Sequence, residues 1–111
     1  MSTVFGLIIQ GKLPAEKVFE NERILAIKDI HPVAPVHILI MPKKEICNIH
    51  SLEREDWSLI GEILEVAQKI AEEMGIADGY RIITNNGPDA GQTIFHLHFH
   101  LIGGKVLGHM A

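Results

Sequence analysis

Apolar residues recur along this chain at different spacings, and each spacing predicts a different kind of element. Ile60, Ile63, Leu64, Ala67, Ile70, Ala71 and Met74 lie three and four apart. That spacing builds one face of an amphipathic helix. Ser51 is the candidate N-cap, and Glu53, Glu55 and Asp56 load the first turn with the negative charge that a helix N-terminus favours. Gly75 suits the position just past the end, and Trp57 is assigned with the apolar face to the core. A shorter run, Val4, Phe5, Leu7, Ile8 and Ile9, reads as a brief helix capped by Ser2 or Thr3 and ended by Gly11. Lys17–Glu20 and Arg23–Lys28 read as strands with Asn21-Glu22 as their turn. Pro32, Pro35 and Pro42 bound a third strand, Val36–Met41, and Tyr80–Asn85 reads as a fourth. Strict alternation marks the fifth, Thr93–Ile102, where His96, His98 and His100 interleave with Leu97, Phe99 and Leu101. On a strand the imidazoles share one face, about 6.5–7 Å apart, and the apolar residues take the other.

Strands outnumber helices, and the connections are too short for a series of βαβ crossovers. The expectation is an α+β domain over residues 1–111: about five strands, mainly antiparallel, with one long helix packed on them and a short N-terminal helix. The loop Asn86–Gly91 has the residues of tight turns, so the last two strands are expected to pair.

The chain has 111 residues, 47 % of them hydrophobic, enough for a single core. Its formal net charge is −4, and only Lys43-Lys44 places basic residues side by side. That argues against a nucleic-acid partner. No apolar run is long enough to span a membrane, and no signal-peptide pattern opens the sequence. Cys47 is the sole cysteine, so no intrachain disulfide forms, which fits a reducing cytoplasm. No motif frames it, and it reads as a small apolar filler.

Three alternating histidines are an improbable packing accident, because unpaired imidazole is costly to bury. A row of this kind can hold a metal, attack phosphorus or bind phosphate. A catalytic metal site needs further ligands, yet no carboxylate follows between His100 and Ala111 and there is no Cys-x-x-Cys. Nucleophilic attack by an imidazole fits better. A central histidine flanked by two others has donors at hand for the charge that develops on phosphoryl oxygens. The loop Gly87–Gly91, with Gln92 and Thr93, adds backbone N–H groups and a hydroxyl beside the row.

His96-Leu97-His98-Phe99-His100-Leu101-Ile102 resembles the signature of the histidine-triad family, His-φ-His-φ-His-φ-φ with φ apolar. The segment from Asp29 to Lys44, Val4–Ile9, Gly91-Gln92-Thr93 and Gly103-Gly104 are similar to its Hint branch, in the same order. The resemblance implies a homodimer and a purine-nucleotide substrate. The implied reaction is hydrolysis of nucleoside phosphoramidates, adenosine 5′-monophosphoramidate typically, and of acyl- and aminoacyl-adenylates. By position, His98 is the nucleophile and His100 bonds the phosphate. His96 and His37 support them, and Thr93 lies near the scissile bond. Asn85, Gly91, Gln92 and Ile94 flank the phosphate, and Asp29 binds the ribose. Val4, Phe5, Ile8, Ile27 and Ile30 form the purine slot.

The chain also departs from relatives. Zinc-binding members have cysteines where Thr3 and Gly6 stand, and often histidine at Glu45, so neither a structural metal nor a cofactor is expected. His31 and His50 match no functional position. The tail from Lys105 lacks the aromatic-proline ending of some relatives. Gly103-Gly104 favours the phosphoramidase branch over dinucleoside polyphosphate hydrolases. A nucleotide-binding module working through protein partners is the reading from another class.

Overall fold

The computed structural model describes residues 3–110. Helix α1 (Val4–Ile9) is capped by Thr3, whose hydroxyl accepts the Gly6 N–H at 3.0 Å. Such a cap is worth about 1 kcal/mol. Ser2, the other candidate cap, lies outside the described residues. Strands β1 (Lys17–Glu20), β2 (Ile24–Lys28) and β3 (Val36–Pro42) are followed by helix α2 (Trp57–Glu73), then β4 (Tyr80–Ile83) and β5 (Phe99–Gly103). The strands form one antiparallel sheet in the order β1-β2-β3-β5-β4. This is the α+β arrangement expected from the sequence.

Period-two alternation sends side chains to two cores. Ile24, Ala26, Ile38, Ile40, Phe99 and Leu101 face α2 and bury its Leu59, Ile63, Val66, Ala67, Ile70 and Ala71. On the opposite face Leu25, Ile27, Leu39 and Met41 pack against Phe5 and Ile8 of α1. Each large aliphatic side chain so buried contributes about 1.5–3 kcal/mol. His37 and His100 sit on the α1 face.

Several boundaries differ from the expectation. The long helix starts at Trp57, not after Ser51. Asn48 caps a separate 3₁₀ turn, Ile49–Ser51, and a second, Arg54–Asp56, follows. Asp56 turns back to accept the Glu53 N–H at 3.0 Å and also pairs with Lys44. The buried stripe is rotated: Leu59 and Val66 are inside, while Trp57 is 54 % and Leu64 44 % exposed. At the far end Gly75, at φ 73°, behaves as expected. The Ile76 N–H bonds the Ala71 carbonyl and the Gly75 N–H that of Glu72, closing the helix. Cys47 is exposed rather than a core filler. Among the described residues no helix is long and apolar enough to cross a membrane.

Candidate functional site

Strand pairing brings His37 and His100 together. In the β3–β5 register Leu39 opposes His100 and Ile102 opposes His37. His37 and His100 are therefore diagonal neighbours on the α1 face. His37 Nε2 lies 2.9 Å from His100 Nδ1. His98 stands just before β5, with its ring 5.2 Å from that of His100. Phe5 of α1 meets the His98 ring edge-on at 4.9 Å. Asp29 follows β2; its Oδ1 accepts the His31 N–H at 2.8 Å, and its Oδ2 lies 3.3 Å from His37 Nε2.

His96 does not join this row. The expected strand Thr93–Ile102 is paired only over Phe99–Gly103, so residues 93–98 approach along another path. The Leu97 N–H bonds the Ile46 carbonyl at 2.7 Å, which draws this segment toward the stretch after β3. The His96 ring is buried, and its Nε2 bonds the Pro42 carbonyl at 2.7 Å. Tyr80–Asn85 is likewise shortened to Tyr80–Ile83. Beyond that point the Thr84 hydroxyl, rather than a ladder bond, donates to the His98 carbonyl at 2.8 Å.

The hydrogen bonds assign the tautomers. His98 Nδ1 is 2.7 Å from the His96 carbonyl, which can only accept, so the proton sits on Nδ1 and Nε2 keeps its lone pair. His37 Nδ1 accepts the Val33 N–H at 3.1 Å, which leaves the His37 proton on Nε2. That proton is donated to His100 Nδ1, so His100 presents Nε2–H as a donor. Burial pushes His98 below the ordinary imidazole value. Burial first, then the adjacent His98 and His37 rings, push His100 down to about 4, with Asp29 pulling the other way. Both rings are thus neutral at pH 7. One is a lone-pair carrier and the other a donor, side by side.

This has a consequence for stability. Both folded values lie below the 6.5 of free imidazole, so under acid the unfolded chain takes up protons that the folded chain refuses. Stability is highest above about pH 6.5 and falls as pH drops below it. The carboxylates of Glu20 and Asp56, also depressed, add a loss of the same sign at lower pH. Calorimetry at pH 7.5 and pH 5 should find the lower Tm at pH 5; an equal or higher Tm there would contradict the neutral assignment.

Around these groups opens a cavity of about 490 Å³. Of the residues expected at the site, Val4, Phe5, Ile8, Ile27, Asp29, Ile30, Asn85, Gly91, Thr93, Ile94, His98 and His100 line it. Its apolar end is α1 with β2, and its polar end is Asp29 with the histidines. Gln92 is buried and does not line it. The buried amide accepts the Gly87 N–H at 2.8 Å and donates to the Cys47 carbonyl at 2.9 Å, fastening the loop before the histidines. Among the described residues Asp29, His37 and His100 also offer possible metal-ligand atoms within 4.8 Å of one another. One of those contacts, His37 Nε2 to His100 Nδ1, is already a hydrogen bond.

Residues 10–107 match a family model described as the HIT domain. The chain belongs to the HIT family. It is 51 % identical over 109 residues to a HIT-like protein of Chlamydia pneumoniae, covering 98 % of this chain and 99 % of that one. A HIT family hydrolase from Legionella pneumophila superposes with a TM-score of 0.94 at 42 % identity, over 96 % of both chains. A hypothetical histidine triad nucleotide-binding protein from Sulfolobus tokodaii gives 0.80 at 37 % identity, over 88 % of this chain and 66 % of that one.

In this HIT domain the cavity also takes in residues that sequence reasoning missed: Leu13, Pro14, Ala15, Lys28, His31 and Leu39. Leu39 was within reach of the alternation rule, being two residues from His37 on the same strand. His31, read as a plain surface histidine, is exposed but lies on the cavity rim. Thr84 carried no signal, since a threonine at a strand end is commonplace.

Proposed function

We propose that this HIT protein is a phosphoramidase of the Hint branch. It hydrolyses the P–N bond of purine nucleoside 5′-phosphoramidates such as adenosine 5′-monophosphoramidate, and the P–O anhydride bond of related acyl- and aminoacyl-adenylates. The observation that carries this reading is the His98 ring. Its Nδ1–H is spent on the His96 carbonyl, so a neutral Nε2 lone pair remains on a cavity wall next to the His100 donor. The Legionella relative is described as a hydrolase and the Sulfolobus one as nucleotide-binding, which agrees with the proposal.

In the first step the His98 Nε2 lone pair attacks phosphorus, and the P–N bond to the leaving amine breaks. The departing nitrogen takes a proton from solvent beside the Thr93 hydroxyl. His100 Nε2–H donates to the phosphoryl oxygens as charge builds on them. Asn85, Gly91 and Ile94 enclose that end, and Gln92 shapes the loop from behind. In the second step water attacks phosphorus and loses a proton. The P–Nε2 bond breaks, and the nucleoside monophosphate leaves. His96 and His37 hold the two working rings. The Asp29 carboxylate accepts the ribose hydroxyls, and Val4, Phe5, Ile8, Ile27 and Ile30 offer a flat apolar slot that suits a purine. Incubation with adenosine 5′-monophosphoramidate should release the nucleotide and ammonia equally with and without a chelator. Loss of turnover on chelation would favour a metal hydrolase.

We also propose that two copies pair along β4. That edge strand leaves Tyr80 and Ile82 exposed, and Trp57 and Leu64 of α2 are uncovered as well. An unpaired edge with apolar neighbours is a ready surface for symmetric pairing. Sedimentation velocity at low micromolar concentration should show a dimer; a fully active monomer would rule this out. The single cysteine suits a cytoplasmic setting.

A further inference from the structure

We infer that Asp29 does more than hold the sugar: through His37 it sets the donor strength of His100, so that a ribose diol speeds the chemical step. The inference rests on the phosphoramidase reading and concerns how the same site uses the sugar half of its substrate.

His37 Nε2 carries one hydrogen and faces two acceptors, His100 Nδ1 at 2.9 Å and Asp29 Oδ2 at 3.3 Å. The ring has no second hydrogen to offer, because its Nδ1 accepts the Val33 N–H. Its side chain is only 5 % exposed, so water cannot easily supply a substitute. The hydrogen is therefore shared, between a nearer neutral acceptor and a more distant charged one. Asp29 Oδ1 is engaged by the His31 N–H, which leaves Oδ2 as the oxygen whose load the substrate can change.

The carboxylate also lines the cavity that holds His98 and His100. A cis-diol donating into it draws on the lone pairs that compete for the His37 hydrogen. That hydrogen then passes more fully to His100 Nδ1. A hydrogen bond accepted at one ring nitrogen polarises the ring and makes the N–H on the other a stronger donor. The stronger donor matters most when charge accumulates on the phosphoryl oxygens, so the effect belongs in kcat rather than in KM. Asp29 contacts the sugar, whereas His37 is a positioning residue that acts only through His100. An Asp29 that merely bound ribose would change KM alone.

The test compares adenosine 5′-monophosphoramidate with its 2′,3′-dideoxy analogue, at saturation, on wild type, Asp29→Asn and His37→Ala. On wild type the diol should raise kcat about tenfold, the worth of one hydrogen bond, as well as lowering KM. In Asp29→Asn, where the competing charge is gone, the dideoxy substrate should regain most of that loss in kcat while KM stays high. In His37→Ala both substrates should be slow, with the diol still lowering KM. Because His37 is buried, the Asp29→Asn result stands alone if His37→Ala does not fold. Equal kcat values on wild type, or a tenfold gap that persists in Asp29→Asn, would overturn the inference. Absence of any nucleotidyl adduct on wild type would overturn the phosphoramidase reading itself and the inference with it, whereas an adduct with a diol effect confined to KM would overturn the inference alone.

Discussion

His98→Ala is expected to lower kcat for adenosine 5′-monophosphoramidate by about 10⁴-fold or more, the loss typical when a covalent nucleophile is removed. Nucleotide binding should survive. The apolar slot around Phe5 and Ile27 and the carboxylate of Asp29 lie on other elements, and their support does not pass through the His98 ring. His98 touches Phe5 edge-on, so the affinity change should stay within about the 0.5–1.5 kcal/mol of one aromatic pair. Stopped-time product assays give the rate, and calorimetry with the nucleoside monophosphate gives the binding. A variant turning over at near wild-type rate would remove His98 from the chemistry.

His100→Ala should behave differently. Its loss removes a donor to the developing phosphoryl charge but leaves the attacking nitrogen in place. A drop of about 10²–10³-fold in kcat is expected, the usual loss for one such donor. A slowly formed adduct should remain visible. His100→Gln can place an amide N–H near the same position and should recover part of the rate. If His100→Ala abolished the adduct as completely as His98→Ala, the division between attacker and donor would be wrong.

The elements and the placing of His98 beside His100 were legible in the sequence because they depend on local periodicity. Leu97, Phe99 and Leu101 declared a buried face, and all three are in the core beneath α2. The same alternation set His100 on the opposite face. Position by resemblance brought Asp29 and His37 to it, and they do meet. What failed depended on partners distant in sequence. His96 sits at a spacing that predicts a shared row, yet the Pro42 carbonyl and the Ile46 carbonyl pull its segment out of the sheet. The bonds of the Gln92 amide to the Gly87 N–H and the Cys47 and Ile94 carbonyls were equally hidden, because a loop's fastening has no periodicity. Trp57 reads as core because it is large and apolar, whereas the rotation of α2 is decided by which residues fit the sheet. Periodicity gives a face but not its phase to within one residue.

The most direct measurement is the intact mass of the wild-type protein after brief mixing with adenosine 5′-monophosphoramidate, quenched in base because acid cleaves a phosphorus–imidazole bond. The tautomer assigned to His98 predicts one nucleotidyl group per chain, mapped by fragmentation to His98 and attached at Nε2. Turnover with no adduct at any time, or an adduct on a different residue, would contradict it.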